Sequence, residues 1–345
     1  MIKILTLLGN NYGGCLQAVA LQKIMKQYDE VETINYDEYL NSNKSIKEII
    51  KDIVYYKRNK KFSKFKQQNL KLTKEKNHLV DDLKSKYIVG SDQVWNPTTL
   101  SYEIRKKFFL SFVKDKKRKF SYAASIGEEN IDTDGKEKEI VKFLESFNKI
   151  SVRESSSAEI LNSKYNLNAI SVLDPTMVVE KKIWDSFIEK KYKEKNYILV
   201  YTLGMNKKCI KTIDIFSKKN SKKIIEIFYR KRFKNTKRVE NNFGPQDFIN
   251  AIANSDIIIT NSFHGMVFSI IYHKEFYVIT RDKMNSRIYD LLKTINLTDR
   301  IIKEEEIDKL LSKNYNKINY IDVDKILNKE KEKSLKYIQE IINIK

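Results

Sequence analysis

The stretch Asp256-Ile-Ile-Ile-Thr260-Asn261-Ser262-Phe263-His264-Gly265 runs from an apolar segment of strand length into a polar turn, and Ser262 is placed to cap the helix that follows. His264 then falls in a helix's first turn, where free N–H groups and the helix dipole favour an anion beside which an imidazole can exchange a proton. A histidine that only caps or packs explains the residue as well. Two further turns are polar and glycine-bearing, which lets a ligand approach backbone: Gly9-Asn10-Asn11-Tyr12-Gly13-Gly14, and Gly90-Ser91-Asp92-Gln93-Val94-Trp95-Asn96-Pro97. Asp92, Gln93 and Asn96 add acceptors and donors suited to sugar hydroxyls; the competing reading is a tight turn anchored by Trp95 in the core. Arg153, in Ser151-Val152-Arg153-Glu154, fits bidentate capture of a carboxylate or phosphate. An ion pair with Glu154 or Asp92 accounts for it equally.

These turns need strands to place them. Apolar runs of strand length alternate with segments of helical period, which predicts an α/β protein with parallel sheets. In the first half, strands are expected over 2–8, 31–36, 87–89, 120–124, 150–152 and 170–173, with helices over 15–28, 46–67, 136–148 and 155–164. A Lys-rich helical bridge over 181–195 leads to a second series, with strands over 197–203, 223–228, 256–260 and 276–280. Its helices are expected over 207–219, 246–254, 262–272 and 286–296. An amphipathic helix over 323–344 closes the chain. The expectation is two doubly wound, Rossmann-like domains facing a cleft, over 1–180 and 190–310, with a helical tail over 311–345. Open α/β sheets bind ligands at the carboxyl ends of their strands.

Composition narrows the function classes. The chain has 345 residues, 41% of them hydrophobic and 11% aromatic, which argues against disorder. Its 66 basic and 45 acidic residues give a net charge of +21, yet only ten of the basic residues are arginine. Most of that lysine reads as solvated surface. Two clusters stand out, 43–78 and 230–238, and suit an anionic partner such as a membrane surface. Cys15 and Cys209 lie far apart, and His78, His264 and His273 share no metal-ligand spacing, so no structural metal is expected. Neither glycine cluster matches GxGxxG or GxxxxGK[ST], which removes the usual support for dinucleotide binding and P-loop hydrolysis. The short amino-terminal apolar run and the lack of a spanning segment predict a cytoplasmic protein, peripheral at most on the inner face of the plasma membrane.

Six motifs in order, Asn11-Tyr-Gly-Gly-Cys-Leu-Gln17-Ala, Gly90-Ser-Asp-Gln-Val-Trp-Asn-Pro97, Ser121-Tyr-Ala-Ala-Ser-Ile-Gly127, Ser151-Val-Arg-Glu154, Leu173-Asp-Pro-Thr176 and Thr260-Asn-Ser-Phe-His-Gly265, give the chain a resemblance to the polysaccharide pyruvyl transferase family. The resemblance spans roughly residues 3 to 300. It implies a fold similar to GT-B glycosyltransferases and transfer of pyruvate from phosphoenolpyruvate onto two sugar hydroxyls, giving a ketal and phosphate. It makes His264 the active-site histidine and Arg153 the arginine of the cleft, with no metal or organic cofactor. The chemistry asks for an acid, for which His264 is the candidate, an anion clamp, for which Arg153 is, and a group such as Asp92 to orient or deprotonate a hydroxyl. Expected substrate contacts are Asn11, Gly13, Gly14, Gln17, Ser91, Gln93, Trp95, Asn96, Ser125, Ser262 and Gly265.

One position departs from the family pattern. Several members read Ser-Arg-x-His where this chain reads Asn261-Ser262-Phe263-His264, and Lys283 or Arg287 is the expected source of the missing charge. The expected partners are phosphoenolpyruvate and a saccharide acceptor, lipid-linked in one version, and not nucleic acid. Two readings of other classes stay open: a GT-B glycosyltransferase using a nucleotide sugar, and a non-catalytic polyanion-binding protein.

Overall fold

The computed structural model describes residues 1–36, 55–189, 194–228, 231–280, 286–312 and 317–344. The chain divides into two compact units: Met1–Ser45, Lys66–Val179 and Leu327–Lys345 form the first, and Ile46–Phe65 with Glu180–Ile326 the second. An uninterrupted division near residue 180 with a separate tail was the expectation; here the carboxyl-terminal stretch joins the first unit, and part of the basic helix Tyr56–Asn69 joins the second.

In the first unit, β1 (Ile2–Leu5), β2 (Val31–Thr33), β3 (Lys86–Val89) and β4 (Lys119–Ser121) form a parallel sheet in the order β2-β1-β3-β4. The short parallel pair β5 (Ser151–Val152) and β6 (Ile170–Ser171) is joined to it through single bridges, Phe120 with Lys149 and Ala124 with Val152. Both faces of the sheet are covered, and Ile2, Ile4, Leu5, Ile88 and Val89 are fully buried. β4 stops short of the expected Ala124 because Ala123 takes a left-handed conformation, φ 51°, which no strand accommodates. The helix expected from Cys15 starts at Tyr12, because Asn11 caps it, so Gly13 and Gly14 lie in its first turn. The carboxyl-terminal helix is held to this unit by the Tyr337 hydroxyl donating to Ser121 O, 2.8 Å, and by Lys86 Nζ donating to the carbonyl of Ile342, 2.5 Å.

The second unit has six parallel strands, β7 (Tyr197–Tyr201), β8 (Lys223–Glu226), β9 (Thr236–Val239), β10 (Ile257–Thr260), β11 (Glu275–Thr280) and β12 (Ile301–Lys303). Their order, β12-β11-β10-β7-β8-β9, is that of a dinucleotide-binding doubly wound sheet. Of the expected bridge helix, Lys181–Asp185 is helical, and residues 190–193 lie outside the described residues. No helix among the described residues is long and apolar enough to cross a membrane.

The strand order reverses once in each sheet, between β1 and β3 in the first and between β7 and β10 in the second. At such a switch point neighbouring connections run to opposite faces and leave a crevice at the carboxyl ends of the strands. The turns singled out from sequence follow β1, β3 and β10.

Candidate functional site

In the second unit, β10 ends on Thr260, whose hydroxyl donates to Tyr201 O of β7, 2.6 Å, and accepts from Ser262 N, 3.0 Å. Asn261 then reaches across the switch point: Leu203 N donates to its Oδ1, 2.8 Å, and its Nδ2 donates to Leu203 O, 3.2 Å. Ser262 caps the helix Phe263–Ile271, its hydroxyl accepting from Gly265 N at 3.4 Å. His264 is the second residue of that helix, only 6% exposed, and its ring meets Phe263 edge to face with centroids 5.1 Å apart. The turn is locked from both sides, so the imidazole is positioned by backbone and not by a flexible loop.

Gly265 is required for that lock. A Cβ there would run into the Thr260 hydroxyl, with the rest of the Thr260 side chain 3.2 to 3.3 Å away. Gly265→Ala is therefore expected to cost about 1–3 kcal/mol by forced overpacking and to displace His264. Chemical denaturation with a parallel turnover assay checks it; an unchanged midpoint and rate would show that the turn gives way freely.

In the first unit, the two switch-point turns meet. Asn11 Oδ1 accepts from Gly14 N at 2.6 Å, and a Cβ on Gly14 would come within 3.0 Å of both Asn11 Nδ2 and Asp92 Oδ2. Asp92 has φ 74°; its carbonyl accepts from Val94 N, 2.8 Å, and Ser125 N, 3.0 Å, while its Oδ1 accepts from Gln93 N, 2.9 Å. Behind the turns lies a buried polar network. Gln17 donates to the Thr6 hydroxyl, 2.8 Å, which donates to Ser91 O, 2.8 Å, and the Ser91 hydroxyl donates to Asp174 Oδ2, 2.9 Å. Arg153 bridges Asp174, Nη1 to Oδ2 3.0 Å, and Glu154, Nε to Oε1 3.3 Å, and the Ser125 hydroxyl donates to Glu154 Oε1 at 2.6 Å. Asp174 Oδ1 accepts from the backbone and hydroxyl of Thr176. Burial opposes the Arg153 charge, but Glu154, Asp174 and Asp92 outweigh it and its pKa is raised.

Five of the six motifs thus converge on one network, which is the physical reason for their residue types. Convergence also redistributes the expected roles. Trp95, 1% exposed, donates from Nε1 to Phe108 O at 3.1 Å and stacks on Phe109, so it anchors the turn from the core and has no face for a substrate. Asn96 spends Oδ1 on Thr98 and Thr99 and Nδ2 on Gln93. Gln17, Ser91 and Ser125 are fully buried and hold the turns instead of lining them. Lys283 lies outside the described residues, and Arg287 is half-buried in the first turn of the helix Ser286–Thr294. Sequence reasoning missed Thr6, just past β1, and Thr260 and Tyr201, the last residues of β10 and β7, whose only signal is a polar or phenolic group at the carboxyl end of an apolar run.

The profile described as polysaccharide pyruvyl transferase matches residues 11–283, which takes in all six motifs. The chain belongs to the polysaccharide pyruvyl transferase family. No match is found among curated proteins. Among solved structures, the UDP-GlcNAc 2-epimerase of Neisseria meningitidis bound to UDP-GlcNAc is similar over 99% of each chain, with 12% identity and a TM-score of 0.54. The UDP-N-acetylglucosamine 2-epimerase of Rickettsia bellii is similar over 99% of this chain and 98% of its own, with 11% identity and a TM-score of 0.55. That of Methanocaldococcus jannaschii, in complex with UDP-GlcNAc and UDP, covers 95% and 98% at 14% identity and a TM-score of 0.52. At such identities the likeness is one of fold: this pyruvyl transferase family member has a GT-B-like architecture of two doubly wound domains.

Proposed function

We propose that this family member transfers pyruvate from phosphoenolpyruvate onto two hydroxyls of a sugar, in a surface polysaccharide or its lipid-linked precursor, forming a ketal. The observation that supports the reading best is the His264 turn, a rigid imidazole in the first turn of a helix at the switch point of a doubly wound sheet. One hydroxyl adds to C2 of phosphoenolpyruvate as a proton goes to the methylene carbon, which becomes a methyl group. The second hydroxyl then displaces phosphate from C2, and its proton leaves with the phosphate.

His264 delivers the proton to the methylene carbon, and the first N–H groups of its helix stabilise the donor's negative charge. Asp92 orients or deprotonates a sugar hydroxyl, with Asn11 and Gln93 beside it. Arg153, its fork occupied by Asp174 and Glu154, acts as a positioning residue for the Asp92 turn. Peripheral contact with an anionic inner leaflet would draw on Lys57, Lys60 and Lys64, exposed on the helix Tyr56–Asn69, at about 1 kcal/mol for each basic residue near the surface.

Incubation with phosphoenolpyruvate and a panel of glycosides is expected to release phosphate in step with an acid-labile ketal on one acceptor. Phosphoenolpyruvate left intact with every acceptor while a UDP-sugar is consumed would replace this reading with glycosyl transfer.

A further inference from the structure

Gly14 stands inside the helix Tyr12–Met25 without the positive φ that reserves a position for glycine. Alanine is the better helix residue there, so the reason for a glycine must be room. A Cβ on Gly14 would stand 3.0 Å from Asn11 Nδ2, 3.0 Å from Asp92 Oδ2 and 3.1 Å from Asn11 Oδ1. Those nearest neighbours include a donor and an acceptor, and two atoms so close to one point are near enough for a single oxygen to bridge. The surroundings are pinned. Gln17 Nε2 donates to Gly14 O at 3.0 Å, and Asn11 Oδ1 is taken up by the cap, accepting from Gly14 N. Gln93 N holds Asp92 Oδ1 at 2.9 Å, which fixes the rotation of the carboxylate and leaves Oδ2 toward Gly14. Asp92 is 8% exposed, and among the described residues neither its Oδ2 nor Asn11 Nδ2 has a hydrogen-bond partner.

We propose that Gly14, Asn11 and Asp92 form a subsite for one hydroxyl of the sugar acceptor, which donates to Asp92 Oδ2 and accepts from Asn11 Nδ2 over the bare Cα of Gly14. That the sugar is an acceptor rests on the pyruvyl-transfer reading. The polarity of the slot selects the group. A carboxylate oxygen held against the first turn of a helix already supplies the negative charge that the helix dipole favours, so a second anion is repelled. An ammonium would satisfy Asp92 and leave Asn11 Nδ2 without an acceptor. Among the described residues no group of three His, Cys, Asp or Glu could hold a metal ion. A hydroxyl both donates and accepts. Asn11 and Gly14 follow β1 and Asp92 follows β3, the strands flanking the switch point of the first sheet, where open α/β sheets bind ligands.

The test is saturation-transfer NMR on the full chain, without phosphoenolpyruvate. Its probes are the methyl glycosides of glucose, galactose, mannose and N-acetylglucosamine, with the single-deoxy forms of whichever binds. Wild type is expected to bind one glycoside and to lose about 10-fold or more in affinity when one particular hydroxyl is missing, the loss of a charge-assisted hydrogen bond. Two variants carry the comparison: Gly14→Ala, whose methyl fills the slot, and Asn11→Asp, which keeps the helix cap but puts an acceptor where Nδ2 donates. Both are expected to bind the parent glycoside as weakly as wild type binds that deoxy form, and to bind the deoxy form no more weakly still. Melting curves confirm folding, and if Gly14→Ala does not fold, Asn11→Asp decides by the same criterion.

Unchanged glycoside affinity in a folded variant, or discrimination against the deoxy form that persists in it, overturns the proposal and leaves the slot to water. Wild type that binds none of the glycosides overturns it as well. Phosphate release from phosphoenolpyruvate, followed separately, divides the two inferences. Glycoside binding that depends on Gly14 without consumption of phosphoenolpyruvate would sink the transfer reading and keep the subsite. Release whose KM for the sugar is indifferent to both variants sinks the subsite and keeps the transfer.

Discussion

His264→Ala is expected to melt close to the wild type and to lose phosphate release from phosphoenolpyruvate by about 10²–10⁴-fold, the range of a positioned acid–base group. The fold survives because the substitution touches neither element of the lock: Ser262 still caps the helix, and Gly265 still fits beneath Thr260. What goes is a nearly buried ring that meets Phe263 edge to face, a loss near the average for a point substitution, about 1 kcal/mol. Proton delivery to carbon has no substitute in that turn, since Asn261 is spent on Leu203 and Ser262 on the cap. kcat, circular dichroism and the melting midpoint are measured on the same preparation. A folded variant with near wild-type turnover would remove His264 from the mechanism.

What the sequence discloses and what it hides divide along physical lines. β7, β10 and β11 lie within the second sheet, buried on both faces, and are therefore written as apolar runs, while β1 is interrupted only by Lys3. β9 and β12 escaped notice, and both are edge strands of the second sheet. β9 reads Thr-Lys-Arg-Val with Lys237 and Arg238 exposed, the charged lettering with which an edge is kept from pairing further. The helix Tyr102–Phe108 was missed for a related reason, since its seven residues are too few to show a period. In the site, His264, Ser262 and Asp92 were legible because a cap or turn is a local signal. The commitments of Arg153 were only half legible: Glu154 is its neighbour in sequence, but Asp174 comes from beyond the next strand and no local pattern announces it. Trp95, offered by the sequence both as a substrate contact and as a core anchor of its turn, has its indole in the core, a choice that only tertiary packing on Phe109 and Phe147 decides.

The network behind the Asp92 turn gives the second large effect. Arg153→Ala is expected to destabilise the first unit by about 3–5 kcal/mol, the cost of leaving buried charge uncompensated. Arg153 is 3% exposed at its side chain, and Asp174 and Glu154 are fully buried, so neither carboxylate can turn to water when the guanidinium goes. Arg153→Lys should fall between, because an ammonium lacks the fork that spans both carboxylates. The chain offers its own probes, with Trp95 in the first unit, Trp184 in the second, and both essentially buried. In a Trp184→Phe background the fluorescence of Trp95 follows the first unit, and in a Trp95→Phe background Trp184 follows the second. Urea titrations of both are expected to show the Trp95 transition moving by the full amount and the Trp184 transition by less than about 0.5 kcal/mol, the scatter for sites without shared contacts. A Trp95 transition that stays in place, together with a raised KM for phosphoenolpyruvate in Arg153→Lys, would instead make Arg153 the anion clamp and remove it from the scaffold.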